Sequence, residues 1–285
     1  MGGVFVIIKR FFSPEKLKRI KDDFKFLLKM MKNKNYIGEL DMAVRDHYFN
    51  IYYKGNSLAK ITFGRGNSYN ISIHKKFFCN TGAYHDTRFL SAKKDDYFKV
   101  ILDKKLLHPF FQTEYIDQIL SNIRKVNNGE EIALEQAIIT DNLDREDIIL
   151  IDRQIADKDY KKRIDLLVLR QVEKNKSEYS FCVIEIKLGN SPELKDKVAN
   201  QVNGYVSHIE KNFNDYKYCY EKQYEQKREL GLIISPKYES IKIVRPVKGL
   251  RLIVVLGYSG IAKGRIAQLK SNHSGLDVKS FVNLL

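Results

Sequence analysis

The segment FCVIEIKLGN, residues 181–190, closes an apolar run with Glu185 and Lys187 two positions apart. A strand places residues i and i+2 on one face, so a carboxylate and an ammonium point the same way from a stretch otherwise patterned for burial. Burying either charge is costly unless it is paired, hydrogen-bonded or bound to a metal. Twenty residues earlier, in KKRIDLLVLR (161–170), Asp165 stands at the front of a second strand, on the face of Leu167 and Leu169. The polar loop EKNKSE (173–178) lets the two strands pair antiparallel. That pairing brings Asp165 and Glu185 together at one end of a sheet, with Lys187 beside them. Two carboxylates at close range repel unless a cation lies between them. Mg²⁺ is commonly held by one or two carboxylates, with water and substrate phosphate completing its shell. The chemistry this suits is phosphodiester hydrolysis, with Lys187 orienting or deprotonating the attacking water or neutralising the transition state.

Spacing alone carries little in so lysine-rich a chain. Glu193–Lys195 and Glu225–Lys227 repeat the same triplet in polar, helical surroundings, and a solvated face accounts for them. Other chemistries lack their signatures. None of the six His stands in H-E-x-x-H spacing, and there is no G-x-S-x-G elbow and no Walker or dinucleotide fingerprint. GRGN (64–67) reads as a plain turn, and Arg88 in YHDTR (84–88) as a loop residue or a phosphate contact. The three Cys lie far apart with no C-x-x-C pair, which suits a reducing cytoplasm. No run approaches the ~20 apolar residues of a membrane span, so a cytoplasmic protein with no membrane partner is expected.

The elements that must position these residues follow from periodicity. Apolar residues at helical spacing predict a helix over 14–32, started by Ser13 and Pro14; its outer face is basic, with ten Lys or Arg against three Asp or Glu from Lys9 to Asn35. Residues 39–78 read as an antiparallel meander of three or four strands, and 95–127 as helical. VNNGEE (126–131) breaks the chain into an N-terminal region, 1–125, and a second region, 126–285. The second reads as a helix at 130–140, strands at 148–155, 163–170 and 180–187, helices at 194–211 and 215–229, then apolar strands in LGLIIS and LRLIVVLGYS. This is an α/β or α+β pattern, a sheet layered with helices.

Asp165, then Glu185-x-Lys187 on the next strand, resembles the PD-(D/E)xK nuclease superfamily, with Ile164 where the family's proline would stand. The resemblance covers roughly residues 128–260. It implies a restriction-endonuclease-like core: a mixed central sheet flanked by helices. It also implies a Glu on the preceding helix that points into the metal site. GEEIALEQAIITDN offers Glu135, embedded among apolar residues, with Glu131 one turn before it as the fallback. On the following helix, NQVNGYVSHI supplies the Q-x-x-x-Y pair Gln201 and Tyr205. By similarity, Asp165, Glu185 and Glu135 bind Mg²⁺, with Mn²⁺ substituting. Lys187 is then the catalytic lysine, and Gln201 supports the site or holds the nucleic-acid backbone. The family context implies a DNA endonuclease in bacterial restriction or anti-phage defence.

A net charge of +15 attracts polyanions, and a phosphodiesterase centre makes the expected partner nucleic acid, DNA before RNA. Candidate backbone contacts are Lys161, Lys162 and Arg163 beside Asp165, Lys195 and Lys197 ahead of the Gln201 helix, and Tyr205. A non-catalytic basic nucleic-acid-binding or assembly protein is the alternative. Residues 36–80 would position DNA, mediate a homodimer or higher oligomer, or sense a signal.

Overall fold

The computed structural model of the 285-residue chain describes residues 8–89, 91–94, 96–126, 129–156, 163–174, 176–234, 236–245, 251–256 and 259–281. Two compact units emerge: one contains Arg10–Asn128 with Gln226–Ile233, the other Gly129–Glu225 with Ile234–Leu285.

In the first unit, Ser13 caps α1 (Pro14–Asp23) by accepting from the Lys16 N–H, and Leu17 and Ile20 are buried. The expected single helix over 14–32 is interrupted at Phe24, whose ring is buried edge-on between Phe49 and Tyr69; α2 (Lys25–Met31) follows. Four strands then form the meander: β1 (Leu40–Val44), β2 (Tyr48–Tyr53), β3 (Asn56–Phe63) and β4 (Ser68–His74). After α3 (Lys75–Phe78) and α4 (Gly82–His85) come β5 (Ser91–Lys94) and β6 (Tyr97–Asp103), then α5 (Lys104–Phe110) and α6 (Thr113–Lys125). The sheet order is β1-β2-β3-β4-β6-β5, antiparallel throughout. Residues 97–103 therefore correct the helical expectation for 95–127. Phe98, Val100 and Leu102 alternate inward against exposed Tyr97, Lys99 and Ile101, the period of a half-buried strand. The inward face packs against Phe24, Leu27, Phe78, Phe110, Ile119 and Ile123.

This unit is completed by residues far along the chain. The Gln226 side chain accepts from the Phe12 N–H and donates to the Phe12 carbonyl, each at 2.8 Å, and Leu230 is buried in the same core.

The second unit runs α7 (Glu130–Thr140), β7 (Ile148–Ile155), β8 (Ile164–Gln171), β9 (Glu178–Leu188), a 3₁₀ turn (Pro192–Leu194), α8 (Lys197–Lys211) and α9 (Phe213–Leu230). Then come β10 (Lys242–Ile243), β11 (Arg251–Leu256), α10 (Gly260–Asn272) and β12 (Asp277–Phe281). The sheet is mixed, in the order β12-β11-β9-β8-β7, with β10 also paired to β9. β7, β8 and β9 are antiparallel neighbours, whereas β9, β11 and β12 run parallel. On one face α7 buries Leu134 and Ile139 against Leu166, Val168, Cys182 and Ile184. On the other, α8 and α10 bury Val198, Val202, Ile266 and Leu269 against Ile253 and Val255, while Phe181 meets rings of α9. The chain is thus mixed α/β with two sheets.

The described residues of LGLIIS, 230–234, do not form the expected strand. Leu230 ends α9, and Gly231 takes a positive φ of 69° with its N–H on the Arg228 carbonyl. The Leu232 N–H bonds back to Lys227, so the apolar run caps a helix.

Candidate active site

Pairing of β8 with β9 sets the frame. Leu166 lies opposite Ile184, so one residue further along each strand stand Asp165 and Glu185. Glu185 is 2% exposed, and its Oε1 lies 2.9 Å from Lys187 Nζ. Its Oε2 is buried and has no hydrogen-bond partner among the described residues. Asp165 Oδ2 accepts from the Ile186 N–H at 3.0 Å, which holds the aspartate across the end of the strand pair.

The charges are strained in an informative direction. Burial first, and then the charge of Asp165, push the Glu185 carboxyl up to about 7. Asp165 is also raised, again chiefly by burial, against the lowering pull of the Ile186 hydrogen bond and of Lys187. For Lys187 burial disfavours the ammonium, but Glu185 and the other carboxylates outweigh it and the pKa rises. Lys187 is therefore a cation at neutral pH. In that form it donates hydrogen bonds and neutralises charge.

The two glutamates of α7 part company. Glu131 Oε1 accepts from the Leu188 N–H at 3.1 Å, immediately after Lys187, and its charge acts on both Asp165 and Lys187. Glu135 is buried against Arg153 and Gln154, and the charge of Asp165 acts on it too. Arg153 Nη2 lies 2.7 Å from Glu135 Oε1, Arg153 Nε donates to that oxygen, and Gln154 donates to Oε2 at 2.7 Å. Burial raises the Glu135 pKa despite Arg153. The helical face therefore brings Glu131 to the Asp165–Glu185–Lys187 group and gives Glu135 an ion pair of its own.

Two further residues were missed in the sequence. Glu193, dismissed as part of a solvated triplet, sits on the 3₁₀ turn with Oε2 3.3 Å from Lys187 Nζ, and it also pairs with Lys197. Arg153 is buried in IILIDRQI, where two adjacent charges inside an apolar strand were the available signal, since one of them had to face inward. A register shift between Leu150 and Asp152, and a positive φ of 50° at Gln154, turn both donors toward Glu135.

On α8, Gln201 Oε1 is buried without a hydrogen-bond partner among the described residues. Tyr205 is 1% exposed, and its hydroxyl donates to the Arg163 carbonyl at 2.8 Å. It is not placed to touch nucleic acid, contrary to expectation; it anchors the backbone two residues before Asp165. Arg163, Lys195 and Lys197 are exposed, whereas Lys161 and Lys162 lie outside the described residues. Arg265 of α10 donates to the Asn190 and Ser191 carbonyls at 2.9 and 2.8 Å, fixing the turn between Lys187 and Glu193. Arg88, the other phosphate candidate, is spent on Asp86.

Among the described residues, no three His, Cys, Asp or Glu side chains converge as a ready metal cage. The donor set nonetheless fits a hard divalent cation, which needs only one or two carboxylates when water and a phosphate supply the rest. Protein-family models, curated proteins and solved structures yield no match to this chain. The functional reading therefore rests on the site.

Proposed function

We propose that this protein is a metal-dependent nuclease that hydrolyses phosphodiester bonds in DNA, built on a restriction-endonuclease-like core. The observation that carries this reading is the Glu185 carboxylate, buried beside Asp165 with one oxygen on Lys187 and the other unpartnered. A buried acceptor without a partner costs about 1–3 kcal/mol, more when charged, and a second carboxylate nearby raises that cost. A site that keeps such a group is suited to a cation.

Asp165 and Glu185 would hold Mg²⁺ or Mn²⁺, with Glu131 rather than Glu135 as the acid from the helix. When bound, the ion supplies neutralisation of charge at the phosphate oxygens and acidifies water. Lys187, held protonated between Glu185 and Glu193, donates to the attacking water or to the phosphate as negative charge develops there. The unpartnered Gln201 Oε1 is an acceptor for a water proton, and so supports orientation of the nucleophile. Tyr205 and Arg265 act indirectly, by fixing the backbone that carries Asp165 and the turn that follows Lys187. The net charge of +15 supports a polyanionic substrate, and the antiparallel β7-β8-β9 unit flanked by α7 and α8 supports the core assignment.

Incubation of supercoiled plasmid with Mg²⁺, Mn²⁺ or EDTA tests the reading, with labelled RNA in parallel to test the preference for DNA. Cleavage is expected with either ion and not with EDTA, and a loss of at least about 100-fold is expected in Asp165→Ala and Lys187→Ala. Cleavage undiminished in both variants would overturn it.

A further inference from the structure

The six-stranded sheet of the first unit buries one face, while the other carries partly to fully exposed side chains. That second face forms a depression of about 920 Å³ lined by residues that include Asn50, Lys60, Asn70, Ser72, Tyr97 and Lys99. No carboxylate is among the described lining residues. Asp41 and Asp103, at strand ends on the same side, stand outside it.

The pairing register shows how this surface is composed. Asn50, Lys60, Ser72 and Lys99 follow one another across β2, β3, β4 and β6 as a row of amides, hydroxyls and ammonium groups. The neighbouring rows carry aromatics. Tyr97 is 46% exposed and meets His74 edge-on at 5.1 Å, and Lys60 Nζ lies 4.1 Å above the Tyr48 ring. Neither Lys60 nor Lys99 has an ion-pair partner among the described residues. Ile101, next to Lys99 on the same strand face, is 70% exposed. Four strands at about 4.8 Å spacing make this platform about 14 Å wide, enough for a few nucleotides.

From these features we infer that this sheet face is a binding platform for single-stranded nucleic acid. Unpaired lysines without a neighbouring acid complement a phosphate backbone. The half-exposed Tyr97 ring supplies a stacking surface for a base, and the row of Asn and Ser side chains offers donors and acceptors to base edges. A broad sheet face cannot enter a duplex groove, whereas splayed bases can lie flat upon it. The inference does not depend on the cleavage chemistry proposed for the other unit.

Fluorescence anisotropy of the full chain with an oligo(dT) of about 20 nucleotides, in EDTA, tests it without cleavage. Tyr97→Ala is expected to weaken binding about tenfold, while Tyr97→Phe, which keeps the ring, binds as wild type. The Lys60→Gln/Lys99→Gln double variant should lower the slope of log affinity against log salt by about 1.4, roughly 0.7 per phosphate contact. Unchanged melting temperatures establish that the variants fold. Affinity and salt slope unchanged in Tyr97→Ala and in the lysine double variant would overturn the inference. So would a dimer that Ile101→Glu dissociates with oligonucleotide binding intact, since the face would then belong to a second copy. Binding lost in these variants with plasmid cleavage absent in every form would retain the platform and reject only the nuclease reading.

Discussion

Replacing Glu185 with Gln should make the metal-free protein less sensitive to alkali. Burial and Asp165 raise the Glu185 carboxyl from its ordinary value near 4.5 to about 7. An acid whose folded pKa lies above its unfolded value contributes fully only below the unfolded pKa, and that contribution is lost as pH rises through the folded one. The window is therefore pH 4.5 to about 7, and stability should fall across it. A displacement of roughly 2.5 pH units at 1.36 kcal/mol each is about 3 kcal/mol. Glu185→Gln is near-isosteric and cannot ionise, so titrations remote from Asp165 and Lys187 cancel in the comparison. Urea unfolding followed by far-UV circular dichroism in EDTA, at intervals from pH 4.5 to 8, gives the difference in stability between the two proteins. The wild type should lose about 3 kcal/mol relative to the variant across that range. A difference that stays flat with pH would show that Glu185 is not an ionisable group forced into a buried site, and would remove the main argument for a cation there.

Arg153→Met strands the Glu135 carboxylate in the core and should cost about 3–5 kcal/mol; adding Glu135→Leu should restore much of it, as a double-mutant cycle in urea would measure. Glu131→Gln should raise the Mg²⁺ concentration for half-maximal cleavage by about 10- to 100-fold. Glu135→Gln should instead lower the melting temperature with the metal requirement unchanged, and a reversed pattern in metal titrations would return Glu135 to the site. Tyr205→Phe removes a buried hydrogen bond to Arg163 and should cost about 1 kcal/mol of stability, together with a fall in kcat at unchanged oligonucleotide affinity.

What the sequence made legible follows from period and pairing. The strand frame around Asp165 and Glu185 was readable because two short, continuously apolar runs joined by a polar loop suit neighbouring buried strands. The choice between Glu131 and Glu135 was not readable. Both lie on one helical stripe, and what separates them is Arg153, which reaches Glu135 only because of a register shift in β7. Glu193 was hidden for a related reason: its neighbours are polar, and only the turn pinned by Arg265 bends it back to Lys187. LGLIIS misled because six apolar or small residues suit a strand and a buried helix end equally, and Gly231 alone marked the difference.

The return of Gln226 to Phe12 has a consequence for how the chain is made. Those two residues are 214 positions apart, yet both belong to the first unit. During synthesis at about 5–20 residues per second, the amino-terminal sheet and its helices, finished at α6, wait roughly 5 to 20 s for the segment that completes them. The second unit's α7, β7, β8, β9 and α8 all emerge in that interval. Completion of the earlier unit is thus contingent on synthesis of the later one, and cutting the gene between residues 125 and 126 would yield an amino-terminal fragment without Gln226 and Leu230 rather than an independent domain.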